Sequence, residues 1–333
     1  KEIFISSLGE FGLIDFIKKN NTKFTERHNV IIDVGDDCFC FASNKDKKEK
    51  FLVTTDILIE DVHFKTCWAS PKQIAQKAVE VNVSDVAAMG GAKPLYMFIS
   101  VGLPKKTKAQ YAEELFKNIK LTAQKYSIHI AGGDTVSAEK LTISITIIAK
   151  SFGRIITRTK AQTNDIICTT GTFGNSLAGL KILQEKKNKF TPAEKFLIKK
   201  HLAPKARLKI ANLMVENNIE ITSMTDCSDG LLKSVELLTA DNNKGATINL
   251  EKIPVSNQLK KYLNFKKDKI YEYALSGGEE FELVFTIKPS SKAKLAKLLP
   301  SVNFIGYVTN SKEVKFFENG KQKQIKINGF KHF

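Results

Sequence analysis

A chain of 333 residues, 42% hydrophobic and 26% charged, has the size and balance of a globular protein of two domains. No apolar run approaches the ~18 residues of a membrane span; the start, Lys1-Glu2-Ile3-Phe4, has no basic region leading into a long apolar stretch, so neither a membrane protein nor a signal peptide is expected. Lys and Arg number 52 against 35 Asp and Glu, a net charge of +17 that brings nucleic acid into view. The excess lies in lysine runs at 44–50, 186–189 and 266–269, with no RNP, zinc-finger or KH signature. It is therefore read as a solvated surface that also steers phosphorylated substrates, and nucleic acid is not expected as a partner. The five cysteines, Cys38, Cys40, Cys67, Cys168 and Cys227, are odd in number and form no CxxC pair. They exclude a disulfide framework or zinc site as the simple reading and fit a reducing cytoplasm.

Leu8–Lys19 has the spacing of a short amphipathic helix. Asn29–Ile32 reads as a strand leading into Asp33-Val34-Gly35-Asp36-Asp37, and Phe51–Thr55 as a strand emptying into Asp56. Ser70-Pro71 starts a helix that runs to about Met89 and stops at Gly90-Gly91. Leu95–Val101 is a strand, Lys108–Tyr126 a helix, Ile128–Ala131 a strand meeting Gly132-Gly133-Asp134, and Leu141–Ala149 a strand. A second half begins near Ser151. Asp165–Thr170 is a strand before the turn Gly171–Ser176, which opens a helix. Helices follow at Thr191–Leu202, Ala206–Glu216 and from Gly230 to about Ala240. Strands are expected at Ile219–Met224, Phe281–Ile287 and Val302–Tyr307. Strands and helices mix throughout, so the class is α/β or α+β, in two domains, 1–150 and 151–333.

Apolar runs end repeatedly at aspartates: Asp36 and Asp37, Asp56, Asp134, then Asp226 and Asp229. Loops at strand ends are where such proteins place their sites. A single Asp in a turn is ordinarily a turn residue, bonded to its own backbone. Gathered together, the carboxylates would repel unless cations neutralised them, and oxygen-only ligands suit Mg²⁺. Asn82 and Asp85 share one face of a helix otherwise rich in Val and Ala. Such a pair is costly to bury without partners, which marks Asp85 as a metal ligand rather than a solvent-facing residue. No GxxxxGK[ST] occurs, which excludes a P-loop. The Gly171–Ser176 turn and Ser228-Asp229-Gly230 each offer backbone N–H groups to a phosphate, though ordinary capping explains either equally. Arg158 read alone is a surface arginine, and His63 beside Phe64 a structural histidine.

In order, Gly35-Asp36-Asp37, Thr54-Thr55-Asp56, Glu60–Phe64, Asn82–Gly90, Gly132–Thr135, Gly153–Lys160, Thr170–Gly179, Asp226–Gly230 and Ser276–Leu283 resemble the thiamine-monophosphate kinase family, which has the fold of aminoimidazole ribonucleotide synthetase. The resemblance implies ATP bound between two domains and a homodimer paired through N-terminal sheets. It implies magnesium ligation by Asp37, Asp56, Asp85, Asp134 and Asp226, with Thr54, Thr55 and Asp229 as additional metal contacts. A monovalent cation is an optional addition. Gly133, Asp134, Arg158 and Ser228 look like ATP contacts; His63, Glu279 and Phe330 look like thiamine phosphate contacts. The family's usual Gly-Gly-Glu-Asp-Tyr-Glu-Leu is here Gly277-Gly278-Glu279-Glu280-Phe281-Glu282-Leu283, Asn175 replaces the commoner Asp, and Asp61 stands where a small or neutral residue is frequent. Selenophosphate synthetase and the hydrogenase-maturation dehydratase are disfavoured by the lack of a cysteine before Cys38 and of a terminal cysteine. The alternatives are another enzyme of that superfamily, such as selenophosphate synthetase or aminoimidazole ribonucleotide synthetase, and, of a different class, a basic nucleic-acid-binding protein.

Overall fold

The computed structural model describes residues 12, 14, 29–43, 48–185, 187, 189–240 and 243–325. Apart from Gly12 and Ile14, both helical, the expected Leu8–Lys19 helix lies outside the described residues, as does Phe330. The first half contributes β1 (Val30–Ile32), β2 (Phe39–Ala42), β3 (Lys50–Ile59), α1 (Pro71–Ala88), β4 (Gly90–Leu103), α2 (Ala109–Gln124), β5 (His129–Ser137) and β6 (Thr142–Ile155). Its strands form one sheet in the order β1-β2-β3-β6-β4-β5. Neighbours are antiparallel except β4 and β5, which α2 joins by a parallel crossover.

The second half supplies β7 (Ile166–Thr169), α3 (Asn175–Gln184), α4 (Pro192–Leu202), α5 (Leu208–Glu216), β8 (Ile221–Asp226), α6 (Leu231–Ala240) and β9 (Gly245–Asn249). It continues through α7 (Asn257–Tyr262), α8 (Lys267–Ser276), β10 (Leu283–Ile287), α9 (Lys292–Leu298), β11 (Asn303–Thr309), β12 (Val314–Glu318) and β13 (Lys321–Lys323). These strands form a second sheet, β13-β12-β9-β11-β7-β10-β8. The strand expected from Phe281 starts at Leu283 instead. Phe281 has a left-handed φ of 51°, and its N–H bonds Cys227 O rather than a ladder partner.

Helix α1 is the centre of the molecule. Ser70 caps it in a reciprocal box with Gln73, and Pro71 occupies its first turn. Its apolar residues, Ile74, Val79, Val83 and Val86 among them, share one core with Ile143, Ile145 and Ile147 of the first sheet and Met224 and Phe285 of the second. A separate core lies beneath α6 and α8, built from Leu231, Val235, Leu238, Tyr271 and Leu275. The other face of the first sheet is different. Phe39, Ile57, Tyr96 and Phe98 are exposed there, and Phe41 stacks between Phe39 and Phe51.

The halves are also joined by backbone mimicry. The Asn212 amide on α5 accepts from Ala92 N–H at 3.0 Å and donates to Ala92 O at 3.0 Å. Ala92 is fully buried, so Asn212→Ala strands a donor and an acceptor with no route to water. Each such orphan costs about 1–3 kcal/mol. Urea unfolding of Asn212→Ala is expected to show a loss of about 2 kcal/mol or more; a midpoint within error of the wild type would refute the clamp.

Candidate active site

Strand alternation decides which side chains of β3 meet α1. Thr54, Asp56 and Leu58 point inward, while Thr55 and Ile57 point to the exposed face. The helix answers with Asn82 and Asp85. Asn82 Oδ1 accepts the Asp56 N–H at 3.0 Å, and its amide donates to Ala78 O at 3.0 Å. Thr54 Oγ1 donates to Asp85 Oδ2 at 2.5 Å. The polar pair on the apolar helix thus faces protein, not solvent.

Asp85 then meets two carboxylates from outside the helix. Asp37 follows β1, and Asp226 ends β8 of the second sheet. One ligand oxygen from each of Asp37, Asp85 and Asp226 lies within 4.8 Å of the others. Hydroxyls contribute: Ser84 Oγ donates to Asp226 Oδ2 at 2.6 Å, and Thr225 Oγ1 to Asp37 Oδ1 at 3.2 Å. Burial, then the Asp37 charge, pushes Asp226 up to about 8. Burial, then Asp56 and Asp226, pushes Asp85 well above its ordinary value. Asp36 and Asp56 rise to about 6, through burial and then Asp37. An all-oxygen, buried, mutually repelling donor set is the kind that a hard divalent cation satisfies.

Arg158 is the protein cation at this cluster. Its guanidinium makes a forked pair with Asp37, Nε to Oδ2 at 3.1 Å and the second contact to Oδ1. Its backbone N–H donates to Asp36 Oδ2 at 3.2 Å. Burial opposes the guanidinium's charge, and Asp37, Asp36 and Asp226 together outweigh it. Arg158 is therefore no surface residue.

Beside this cluster two turns lock together. Because β8 and β10 pair with Leu283 opposite Asp226, the segment Asp226–Gly230 lies against Gly277–Phe281. Glu279 N–H donates to Ser228 O at 2.6 Å, and Cys227 N–H to Glu282 O at 2.8 Å. Ser228 is exposed and Asp229 half-buried. Glu279 has a left-handed φ of 57°. Lys77 Nζ sits 2.6 Å from its Oε1, and His201 Nδ1 3.2 Å from its Oε2. Burial alone would raise the Glu279 carboxyl; Lys77 and His201 overcome this and hold it well below the usual carboxylate range. His63 lies across from it: its Nδ1 accepts the Ile59 N–H at 3.0 Å, and its backbone O accepts from Lys77 Nζ at 2.9 Å.

Asp134 stands elsewhere. It is exposed on β5, the edge strand, with β4 and β6 between it and β3. Gly133 precedes it at φ 154°, where a Cβ would meet Ile99 O at 1.7 Å, so no other residue fits. With Phe116, Lys117 and Lys120 of α2, Gly133 and Asp134 line a cavity of about 560 Å³. Those three α2 residues were not singled out from sequence; their spacing alone is that of an ordinary surface helix. Lys77 and His201 were missed because nothing local in the sequence shows that both meet Glu279. The Gly171–Ser176 turn is corrected as a phosphate cradle. The Ser176 N–H that would serve a phosphate is bonded to Glu280 Oε1 at 2.9 Å, so the protein fills its own helix terminus.

Two sheets packed across a carboxylate cluster define a class. Residues 35–151 match the AIR synthase related protein, N-terminal domain, and residues 163–319 the corresponding C-terminal domain. Thiamine-monophosphate kinase of Aquifex aeolicus (strain VF5) is 36% identical over 99% of this chain and 99% of its own. That of Leptospira interrogans serovar Lai is 35% identical over 90% and 92%. The solved structure described as AaThiL complexed with AMPPCP and TMP superposes with a TM-score of 0.84 at 33% identity, over 100% of this chain and 99% of that one. The chain belongs to the thiamine-monophosphate kinase family.

The raised carboxylates fix a sign. Asp226, at about 8 when folded against an ordinary 3.8, binds its proton more tightly in the native state. Stability therefore falls as pH rises between those values. In chelator-containing buffer the wild type should lose more stability than Asp226→Asn between pH 5 and pH 8. Equal losses in paired urea titrations would contradict the assignment.

Proposed function

We propose that this chain transfers the γ-phosphoryl group of ATP to thiamine monophosphate, yielding ADP and thiamine diphosphate by direct in-line displacement. The observation that carries the reading is the meeting of Asp37, Asp85 and Asp226 from three elements within 4.8 Å. That meeting lies one turn of chain from Ser228 and Glu279. The relatives named above are thiamine-monophosphate kinases.

The acceptor is a phosphate oxygen. A phosphomonoester's second pKa is about 6, so near neutral pH it is already largely ionised and needs no strong base. The difficulty is bringing two anions together, and it falls to positioning and charge. Asp37, Asp56, Asp85 and Asp226 would hold Mg²⁺, with Thr54 as a further oxygen; Thr55, on the other face of the sheet and bonded by Thr146 Oγ1 at 3.0 Å, stands apart from this set, and Asp134 and Asp229 would serve additional ions. Bound there, Mg²⁺ supplies charge neutralisation and orientation of the phosphates. A monovalent cation is an optional companion. Arg158, Ser228, Gly133 and Asp134 contact ATP, and Phe116, Lys117 and Lys120 extend the nucleotide's surface around Gly133. His63 and Glu279 hold the acceptor, with Phe330 as a third contact. The first domain, residues 1–150, carries most of the ion site, and the second, 151–333, closes it.

The exposed aromatic face of the first sheet supports a homodimer formed through that sheet. Phe39, Tyr96 and Phe98 make an apolar surface of the kind that marks a protein interface. Among the described residues no helix is long and apolar enough to cross a membrane, and the five thiols are free; we assign the protein to the cytoplasm.

An ATP-consumption assay with thiamine monophosphate, with selenide and aminoimidazole precursors as controls, tests the reaction. Turnover only with a control substrate would refute it. Asp85→Asn is expected to lower kcat by roughly 100-fold or more while leaving the circular dichroism spectrum unchanged; near-normal turnover would remove Asp85 from its role. Sedimentation analysis of Phe98→Asp should give a monomer where the wild type gives a dimer.

A further inference from the structure

We propose that Lys77 is a positioning residue for the acceptor substrate, bolting together the two elements that hold it. The inference rests on the reading of His63 and Glu279 as acceptor contacts.

Lys77 lies on the central helix of the first half, only 2% exposed. A lysine so buried must spend its charge and donors on protein partners. Both it finds are at the acceptor site. Nζ donates to His63 O at 2.9 Å, in the loop that follows the first sheet's β3. It also meets Glu279 Oε1 at 2.6 Å, in the turn between α8 and β10. One ammonium thus spans the loop of one half and the turn of the other. His201, from α4, takes the second carboxylate oxygen and is itself within 3.1 Å of Ser176 Oγ.

Glu279 is over-determined for a surface residue. Its backbone is left-handed, a strained conformation that persists only where the surroundings enforce it. Its side chain nevertheless stays 29% exposed. A carboxylate offers about four acceptor positions, and Lys77 and His201 approach one oxygen each from the protein side. What remains faces outward as a rigid acceptor with no proton to give. The complementary ligand group is a donor or a cation, such as an exocyclic amine or a quaternised ring nitrogen, both of which thiamine monophosphate carries. Lys77 keeps that acceptor at one place relative to His63. Its loss lets the two halves of the acceptor site drift, while the nucleotide side keeps Gly133 and Arg158 on other elements and Ser228 on its backbone bond from Glu279 N–H, which does not involve the Lys77 ammonium.

Steady-state kinetics separates this role from simple packing. Lys77→Met and Lys77→Gln are expected to raise KM for thiamine monophosphate at least about tenfold, the scale of one charge-assisted contact. KM for ATP should stay within about twofold. Glu279→Gln should give the same pattern, and the Lys77→Met/Glu279→Gln double variant should be no worse than the poorer single variant. A purely structural lysine would lower the melting temperature and leave both KM values alone, and that result overturns the proposal. An acceptor KM raised by Glu279→Gln but not by Lys77→Met also overturns it, while sparing the acceptor role of Glu279. Absence of any wild-type activity with thiamine monophosphate fells the functional reading, and this inference with it. Should the neutral variants fail to fold, Lys77→Arg decides. Its longer planar head displaces the carboxylate and raises the acceptor KM alone, and wild-type KM values there count against the bolt.

Discussion

The demand of buried polar groups for partners, concentrated on one helix, organises this molecule. Helix α1 is covered by both sheets, and five of its side chains are polar and deeply placed. Lys77, Glu80 and Ser84 stand three and then four residues apart, so they form one stripe along the helix. Every member of that stripe has a partner in the second half, Lys77 in Glu279, Glu80 in the Ala206 N–H at 2.8 Å and Ser84 in Asp226 at 2.6 Å, while Lys77 and Glu80 also bond His63 O and the Tyr126 hydroxyl of the first. Gln76 adds a bond to Pro204 O at 2.9 Å. The second stripe, Asn82 and Asp85, is satisfied by β3 of the first half. A helix able to bury its apolar surface anywhere is thereby fixed in rotation and height. The two halves of the site are brought into register by the same bonds.

The cost of this arrangement falls on the carboxylates. Unit charges a few ångströms apart in a poorly solvated place repel by several kcal/mol. Arg158 offsets part of this through Asp37, and the hydroxyls of Thr54, Ser84 and Thr225 offset a little more. Burial and the neighbouring charges still hold Asp85 and Asp226 well above ordinary carboxylate behaviour. Replacing these residues by apolar ones would relieve the fold. Their retention in a buried, convergent set is a cost that makes sense for binding cations and phosphates, and makes little sense for stability alone.

Much of this was legible in the sequence, for identifiable reasons. Ser70-Pro71 and Thr191-Pro192 announce helix starts because capping chemistry is local. Asn82 and Asp85 stand out because polarity on an apolar helix is visible as a pattern. The Gly-Gly-Glu turn is visible because glycines mark turns. What was not legible depends on distance along the chain. Nothing in residues 77, 201 and 279 reveals that they meet, and nothing in Gly132-Gly133-Asp134 reveals an edge strand. The helices α7 and α9 and the strands β9, β12 and β13 went unread because they are short, so their apolar periodicity spans too few residues to register.

Two of the departures from the family pattern, Glu280 and Asn175, become one adjustment when their contacts are followed. Glu280, a methylene longer than the usual Asp, reaches the N-terminus of α3 and accepts the Ser176 N–H at 2.9 Å. Burial pushes this carboxyl up to about 8, with the Glu282 charge adding to it. A second carboxylate at position 175, on the same helix terminus, would add to that repulsion. Asn175 is neutral there, and it uses what an aspartate lacks. Its amide donates to Thr172 O at 3.0 Å and Thr172 Oγ1 at 2.9 Å, while its oxygen accepts from Ser256 at 2.5 Å. The longer acid and the lost charge therefore belong together. Their joint effect is to brace, from behind, the Gly277–Phe281 turn that presents Glu279, so the departures alter the support of the acceptor site and leave its chemistry in place.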